Sequence, residues 1–377
     1  MTAIDQQNDT FTGASKSRRR SYMWIFWVVV IALAIAFPFL VDRPRFWVSN
    51  IGIKSLWLGI IAMSLVFLNK YVGLLSLAQM TMAGVAAYGV GYAAVTLGWS
   101  DTASIAIGLL AGTLAGLVTA LVAARTKAIY FLMITLALGQ VFYSWASQAI
   151  EVTNARRGLA PIPRSDWGFI DFRDLNVFYY TVLAAAIGCY LLCRYVASTP
   201  FGYALQGIRD SPERMSALGY SVVRYRVAAV TFAGFIASVG GVVLAFDRSQ
   251  VDPDIVSLGA TLDILVVAVI GGIGSLGGVF LGGIFLTLLD NFAGDVTERY
   301  LTLTGLIFII VLYFAPAGLA GIAEQVRNRL SKRKKTHGSS TGADSVADEP
   351  SSAAETFAPT EGHAIKKGNS NEADKQS

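Results

Sequence analysis

The chain has 377 residues, of which 54% are apolar and only 15% charged, with a net charge of +5 and a mean hydropathy of +0.55. That leaves too little polar surface to clothe a soluble globule, so the composition predicts an integral membrane protein. Both histidines, His337 and His363, fall in the polar C-terminal tail, which excludes a histidine triad, metal site or proton relay inside the membrane.

Residues 1–21 form a basic N-terminal segment carrying Lys16 and Arg18 to Arg20. The apolar run Tyr22 to Val41 is long enough to cross a bilayer, too long for a signal-peptide core, and lacks a small-x-small cleavage site after it, so it reads as a retained helix. Further apolar segments follow at 53–69, 73–97, 103–124, 128–150, 178–197, 226–246, 262–289 and 300–322. Clusters of Lys and Arg mark cytoplasmic loops, and they occur at Lys16 to Arg20, at Arg125 and Lys127, across Arg194 to Arg226, and from Arg327 to Lys335. Both termini are therefore expected in the cytoplasm. The outward loops are 151–174, with balanced charge, and 247–263, with Asp252 and Asp254 against Arg248. Arg43, Arg45 and Lys54 run against this scheme, which keeps them outside because the stronger N-terminal cluster dominates.

Seven crossings place the chain outside after Phe246, and the last span must return it inside, so 262–289 must begin and end outside. The segment is expected to dip in, turn at Gly271, Gly272, Gly274, Gly277 and Gly278, and come back. The whole is an all-α polytopic membrane protein of about eight full transmembrane helices plus a Gly-broken re-entrant pair. Gly272-Ile273-Gly274-Ser275-Leu276-Gly277 has dinucleotide-fingerprint spacing, but no alternating strands and helices surround it. Glycine here breaks a helix where backbone is buried in protein, and Gly274, Gly278 and Gly282 form a small-residue stripe, as do Gly108, Gly112 and Gly116. A second glycine-interrupted segment, Gly73 to Gly91, carries Ser76 and Gln79, which would face a pathway or bond between helices. Cys189 and Cys193, one turn apart on an apolar helix, read as packing residues.

Between the spans lies the loop Ser198 to Arg226. Thr199 before Pro200 starts one helix; Ser211 before Pro212, with Glu213 in the first turn, starts a second, which Gly219 stops. Arg209, Asp210, Glu213 and Arg214 are then available to a partner. This loop resembles the cytoplasmic coupling loop of permease subunits from ABC importers of branched-chain amino acids, through Thr199-Pro200-Phe201-Gly202, Ile208-Arg209-Asp210, Glu213 and Gly219. Gly73 to Leu77 with Gln79, Ala83 to Tyr88, Thr135-Leu136-Ala137 and Gly271 to Leu276 extend the resemblance over about residues 50–322. The chain departs from the family where Ala78 replaces a glycine, Tyr203 an arginine, and Thr153-Asn154-Ala155-Arg156-Arg157-Gly158 a Thr-Gly-Gly loop.

The chain has no phosphate-loop motif, so ATP must be used by a partner and no cofactor is expected on this chain. The resemblance implies ATPase subunits docked on the coupling loop, a second related permease subunit, an extracytoplasmic substrate-binding protein and the inner membrane of a bacterium; nucleic acid is not expected as a partner. It makes Thr199, Pro200, Gly202, Arg209, Asp210, Glu213, Arg214 and Gly219 the ATPase-coupling residues. Ser76, Gln79, Thr135, Asn154, Gly158, Gly271, Gly272 and Gly274 are the candidates for the substrate path. The permease domain is 22–322, and 323–377 is a disordered cytoplasmic tail, first basic at an anionic lipid surface and then acidic. The substrate is a branched-chain or other small apolar amino acid; a urea or short-amide importer is the alternative, and an ion-coupled secondary transporter a weaker one, since the spans carry few buried ionisable groups.

Overall fold

The computed structural model describes residues 34–38, 46–126, 128–163, 173–296, 305–306 and 318. The expected first and last spans, both termini and the C-terminal tail lie wholly or largely outside them. The described residues are mostly helical, joined by turns and loops, with an isolated antiparallel bridge between Leu159 and Val251.

The centre of the bundle is α1, Lys54–Val72, entered through a wider π-helical turn at Trp47–Ile53. Its apolar window is 89% buried, the environment demanded by a helix that is apolar all round. It stops at Gly73, whose φ of 72° is a left-handed cap. Residues 73–78 are not helical, and α2 begins only at Gln79, running to Gly91 and on through a π-helical turn to Thr96. The expected interruption of the 73–97 segment is therefore real, but it lies wholly before Gln79: Gly84, Gly89 and Gly91 stay helical.

Three long helices follow: α3 (Asp101–Ala123), α4 (Ala128–Gln148) and α5 (Leu175–Ser198). Two short ones come next, α6 (Pro200–Asp210) and α7 (Pro212–Ala217), and then the long α8 (Val222–Arg248). The trio α2, α3 and α8 packs tightly, and α8 also lies along α1. The Gly108, Gly112 and Gly116 stripe makes this possible. Added Cβ atoms would meet Val90 and the Ala86 carbonyl, Ser238 and the Met82 carbonyl, and the Gly234 Cα in turn.

The expected re-entrant segment is two helices, α9 (Leu258–Gly271) and α10 (Gly278–Val296), longer than the apolar run 262–289 implied. Gly282 approaches Val267 and Gly271, while Gly271 approaches Gly278 and Val279, so the two pack as an antiparallel hairpin against α1. The proposed Gly274 stripe is corrected: Gly274 sits in the exposed turn with open space where a Cβ would be. The contact surface is made by Gly271, Gly278 and Gly282.

Among the described residues, five helices are long and apolar enough to cross a membrane. The loop ends sort into two groups. At one end, Arg226 Nη1 donates to the Thr126 carbonyl and the coupling loop meets the last turn of α1. At the other, Trp57 Nε1 donates to Asp247 Oδ2 and Lys54 pairs with Asp290 at 3.0 Å. That ion pair gives Lys54 a carboxylate partner on α10, while Arg43 and Arg45 lie outside the described residues. Both ends of the α9–α10 hairpin thus lie at the end of the bundle opposite the coupling loop.

Gly241 of α8 sits against the Ala83 backbone of α2, so Gly241→Val is expected to cost at least about 1–3 kcal/mol through overpacking. In detergent it should lower the melting temperature and yield, whereas Gly188→Ala, on α5 with no atom within 4 Å of an added Cβ, should leave both unchanged or slightly raised.

Candidate functional site

The break before α2 brings together three of the expected path residues. Leu74, Ser76, Leu77 and Ala78 are buried in the non-helical stretch, whose Ala78 carbonyl accepts from the Met82 amide at 2.9 Å, and Gln79, the first residue of α2, is buried too. Backbone in hydrocarbon has no water to bond, so its donors need acceptors from protein. The Leu77 amide donates to Thr135 Oγ1 at 3.1 Å, and the Ala78 amide to Ser76 Oγ at 3.3 Å. Thr135 in turn donates to the Leu132 carbonyl within α4. Gln79 opens α2 facing α1, where Ser64 Oγ lies 2.9 Å from its Oε1, and its Nε2 has no partner. Ser64 stands ten residues from Lys54 and six from Lys70, about 15 Å and about 9 Å along α1, so α2 starts near the middle of the bundle's depth.

Sequence reasoning missed four residues around this start. Ser64 is a buried hydroxyl in the middle of an apolar helix, a signal legible as a polar interruption. Thr81 packs its Oγ1 against Gly139 of α4, and Tyr88 stacks edge-on against Phe142 of α4 at 6.1 Å. Both side-chain oxygens are buried without a partner, as is Asp252 Oδ1. The short turn Pro253–Val256 packs on both α2 and α4, with Ile255 and Val256 against Gly84, which places Asp252 at the same seam. The carboxylates of Asp252 and Asp254 lie within electrostatic range of the Tyr88 hydroxyl. Only fold-level pairing of the 247–263 loop with α2 reveals this, so spacing alone could not.

Asn154 and Gly158 lie at the far end of α2. Leu159 and Val251 exchange backbone hydrogen bonds of 2.8 and 3.0 Å, and the Ile162 amide donates to Ser249. Leu159 touches Gly91, and an added Cβ on Gly158 would meet the Val251 carbonyl and Asp252 Cα. Asn154 Nδ2 donates to the Gly158 carbonyl at 3.1 Å. The 154–162 loop therefore closes over the outer end of α2 beside Asp252. Gly271, Gly272 and Gly274 stand apart from this group, in the hairpin turn; Gly272 holds φ at 103° and caps α9 through bonds to Ala268 and Val269.

At the opposite end the loop 198–226 takes the expected helical form. Thr199 caps α6 by accepting from the Gly202 amide, Pro200 opens the helix, and Gly219 stops the second one with φ 88°. Gly202 is required because a Cβ would enter the Val196 and Ala197 carbonyls. Leu205 and Ile208 anchor α6 on the bundle, while Asp210, Glu213 and Arg214 are exposed together with Tyr203, Leu218 and Tyr220. Arg209 is exposed as well, and it also bonds inward. Its Nη1 donates to the Lys70 carbonyl in the last turn of α1, its stem covers Gly73, and its Nε donates to Asp210. It is engaged inward, holding α6 to the point where the main chain leaves α1.

The family described as branched-chain amino acid transport system, permease component, matches residues 47–316. The high-affinity branched-chain amino acid transport system permease protein LivM of Escherichia coli (strain K12) is 25% identical over 324 residues, covering 78% of this chain and 74% of that protein. The probable branched-chain amino acid transport permease protein LivH of Methanocaldococcus jannaschii is 25% identical over 269 residues, 63% of this chain and 82% of that one. The autoinducer 2 import system permease protein LsrC of Klebsiella pneumoniae is 32% identical over 195 residues, 49% of this chain and 53% of that one. A solved inward-facing ABC transporter of metal-chelate type covers 78% of this chain and 99% of its own, at 14% identity and a TM-score of 0.47.

Gly158 has φ 70° and ψ −176°, a region that only glycine occupies comfortably. Gly158→Ala should cost about 1–3 kcal/mol and add a clash with the Val251 carbonyl, lowering the melting temperature in detergent. Gly98→Ala, at φ 65° but in open space, should lower it by less.

Proposed function

The chain belongs to the family of branched-chain amino acid transport system permease components, and from that membership we propose that it is one of two related permease subunits of an ABC importer in the inner membrane of a bacterium. ATP is hydrolysed by a separate ATPase subunit seated on α6 and α7, and an extracytoplasmic binding protein delivers substrate at the opposite end. The proposed cargo is leucine, isoleucine, valine or a similar small amino acid. A neutral solute such as urea or a short amide is the second reading, and the likeness to LsrC, whose name records a different cargo, keeps it open.

The Arg209 contact is the observation that carries this reading. A push on α6 bears on the Lys70 carbonyl and Gly73 together, the place where α1 ends and the buried 73–78 stretch starts. Motion of the ATPase is thereby passed to the foot of α2 without crossing the rigid middle of the bundle. Tyr203, Leu218 and Tyr220, apolar and exposed beside Glu213 and Arg214, supply the contact surface; Asp210 steadies Arg209 at 2.8 Å. Ser76, Gln79 and Thr135 hold the broken start, and Asn154 and Gly158 shape the outer entrance. Gly271, Gly272 and Gly274, expected on the path from sequence, form the close-packed end and turn of the α9–α10 hairpin, away from this group.

The test uses proteoliposomes holding both permease subunits, the ATPase and the binding protein, with ATP and no ion gradient, and measures uptake of labelled leucine. Wild-type uptake is expected; uptake that needs an ion gradient instead would overturn the reading. Arg209→Ala removes a charged hydrogen bond worth about 1.5–3 kcal/mol and should reduce uptake tenfold or more, in keeping with about 1.4 kcal/mol per factor of ten, while the complex still assembles. Glu213→Lys, on the exposed face of α7, should uncouple ATP hydrolysis from uptake with the permease pair intact.

A further inference from the structure

We propose that the seam between α2 and α4 is the route by which substrate passes through this subunit, and that Asp252 with the Tyr88 hydroxyl forms its outer stop, selecting a small solute with a cationic ammonium group. The proposal rests on the importer reading above and names the seam and the substrate class that the reading leaves open.

Three observations converge on the seam. First, it holds polar atoms that the fold leaves unbonded: Thr81 Oγ1, Tyr88 Oη and Asp252 Oδ1 are all buried and without partners. A buried hydroxyl or carboxylate oxygen without a partner costs about 1–3 kcal/mol or more, so three along one line mark a place built for a visiting group. Thr81 and Tyr88 are seven residues apart, two turns, so they share the face of α2 that meets Gly139 and Phe142 of α4. Gln79, on the other face, turns to Ser64 and α1 and does not belong to the line.

Second, one wall of the seam is loosely held. The apolar window of α4 is 17% buried in this chain, against 89% for α1. Its described polar tie to α2 and the stretch before it is the bond from the Leu77 amide to Thr135, Gly139 lies against the Thr81 hydroxyl, and Phe142 packs edge-on against Tyr88. A wall joined by one described hydrogen bond and one ring contact can part from α2 at modest cost.

Third, the two ends of the seam differ in charge. Asp252 stands at the outer end, next to Gly158 of the 154–162 loop and at the start of the turn 253–256 that packs on α2 and α4, with Val256 against Gly84, one helical turn from Tyr88. The inner end is the first turn of α2, where Ala78 provides no side-chain cap, Thr81 occupies the third helical position, and the helix dipole is positive. A zwitterion leaving the outer stop carboxylate-first meets donors at the inner end. The stops are about 10 Å apart along α2, so they are occupied in turn by one small molecule. Urea could donate hydrogen bonds to the Asp252 carboxylate but, being neutral, would form no ion pair with it.

The experiment uses the full importer in proteoliposomes and a charged, water-soluble methanethiosulfonate. Thr81→Cys is a near-isosteric change at a hydroxyl with no partner, and the reagent is added with ATP and binding protein present. The expected result is labelling of the Thr81→Cys variant above the wild-type background from Cys189 and Cys193, with leucine slowing it about tenfold or more. A thiol at this position that stays unreactive through turnover, in an importer whose wild type transports leucine, overturns the seam route and leaves the importer reading standing; a wild type without ATP-driven uptake overturns that reading instead. Asp252→Asn, with Tyr88→Phe as a second variant, separates the charge selection: KM for leucine uptake should rise about tenfold with ATPase coupling kept, equivalent to about 1.4 kcal/mol. An unchanged KM in both variants overturns the ammonium stop.

Discussion

A main chain that leaves the helix inside hydrocarbon has to find every hydrogen bond in protein, and the stretch from Gly73 to Gln79 lives under that constraint. Its amides reach Thr135 on α4 and Ser76 within the stretch itself, and its exit is fixed by Ser64 on α1. Each partner sits on a different element, so the break cannot exist unless α1, α2 and α4 are all in place. Much of the packing around it serves this end. The glycine stripe of α3 lets α2 and α8 approach closely enough to exclude lipid, and the Ala83 backbone lies directly on Gly241.

The same constraint makes the break a sensible place to apply force. A straight, buried helix such as α1 transmits motion as a rod, and bending it would cost its whole hydrogen-bond ladder. At Gly73 the ladder has already ended, so a shift of a few ångströms there is absorbed by torsions of an extended stretch. Arg209 grips this point, and its charge makes the bond to the Lys70 carbonyl stronger than a neutral contact. The α9–α10 hairpin on the far side of α1 is fixed at its open end by Lys54 and Asp290. The two irregular elements thus flank one rigid helix, each anchored at an opposite end of it.

Much of the fold was legible because membrane burial writes in long apolar runs, and the glycine-broken hairpin followed from counting crossings. Helix ends were less legible: α9 begins four residues before its apolar run, at a Ser257 cap that hydropathy does not register. The coupling loop was read nearly residue by residue, since Thr-Pro and Ser-Pro starts and a glycine stop act locally. The inward bond of Arg209 was not legible because its partner is a backbone carbonyl 139 residues away, and a carbonyl has no signature in sequence. Thr81, Tyr88 and Asp252 went unseen for a related reason. What distinguishes them is the lack of a partner after folding, and an unmet hydrogen bond is a property of the packed structure alone.

The outer loop shows how shape and chemistry can be separated. Where the family resemblance has a Thr-Gly-Gly run, Asn154 and Ala155 take its place, yet they keep φ at 57° and 51°, in the left-handed region that glycines would occupy freely. Asparagine tolerates this region, and Asn154 also bonds to the Gly158 carbonyl; for Ala155 the cost is about 1–2 kcal/mol. The surrounding structure holds that conformation through the Leu159–Val251 bridge and the Thr153 hydroxyl, which donates to the Ala146 and Ala149 carbonyls. The loop thus accepts strain at Ala155 to hold its course, and its side chains there are an amide and a methyl group.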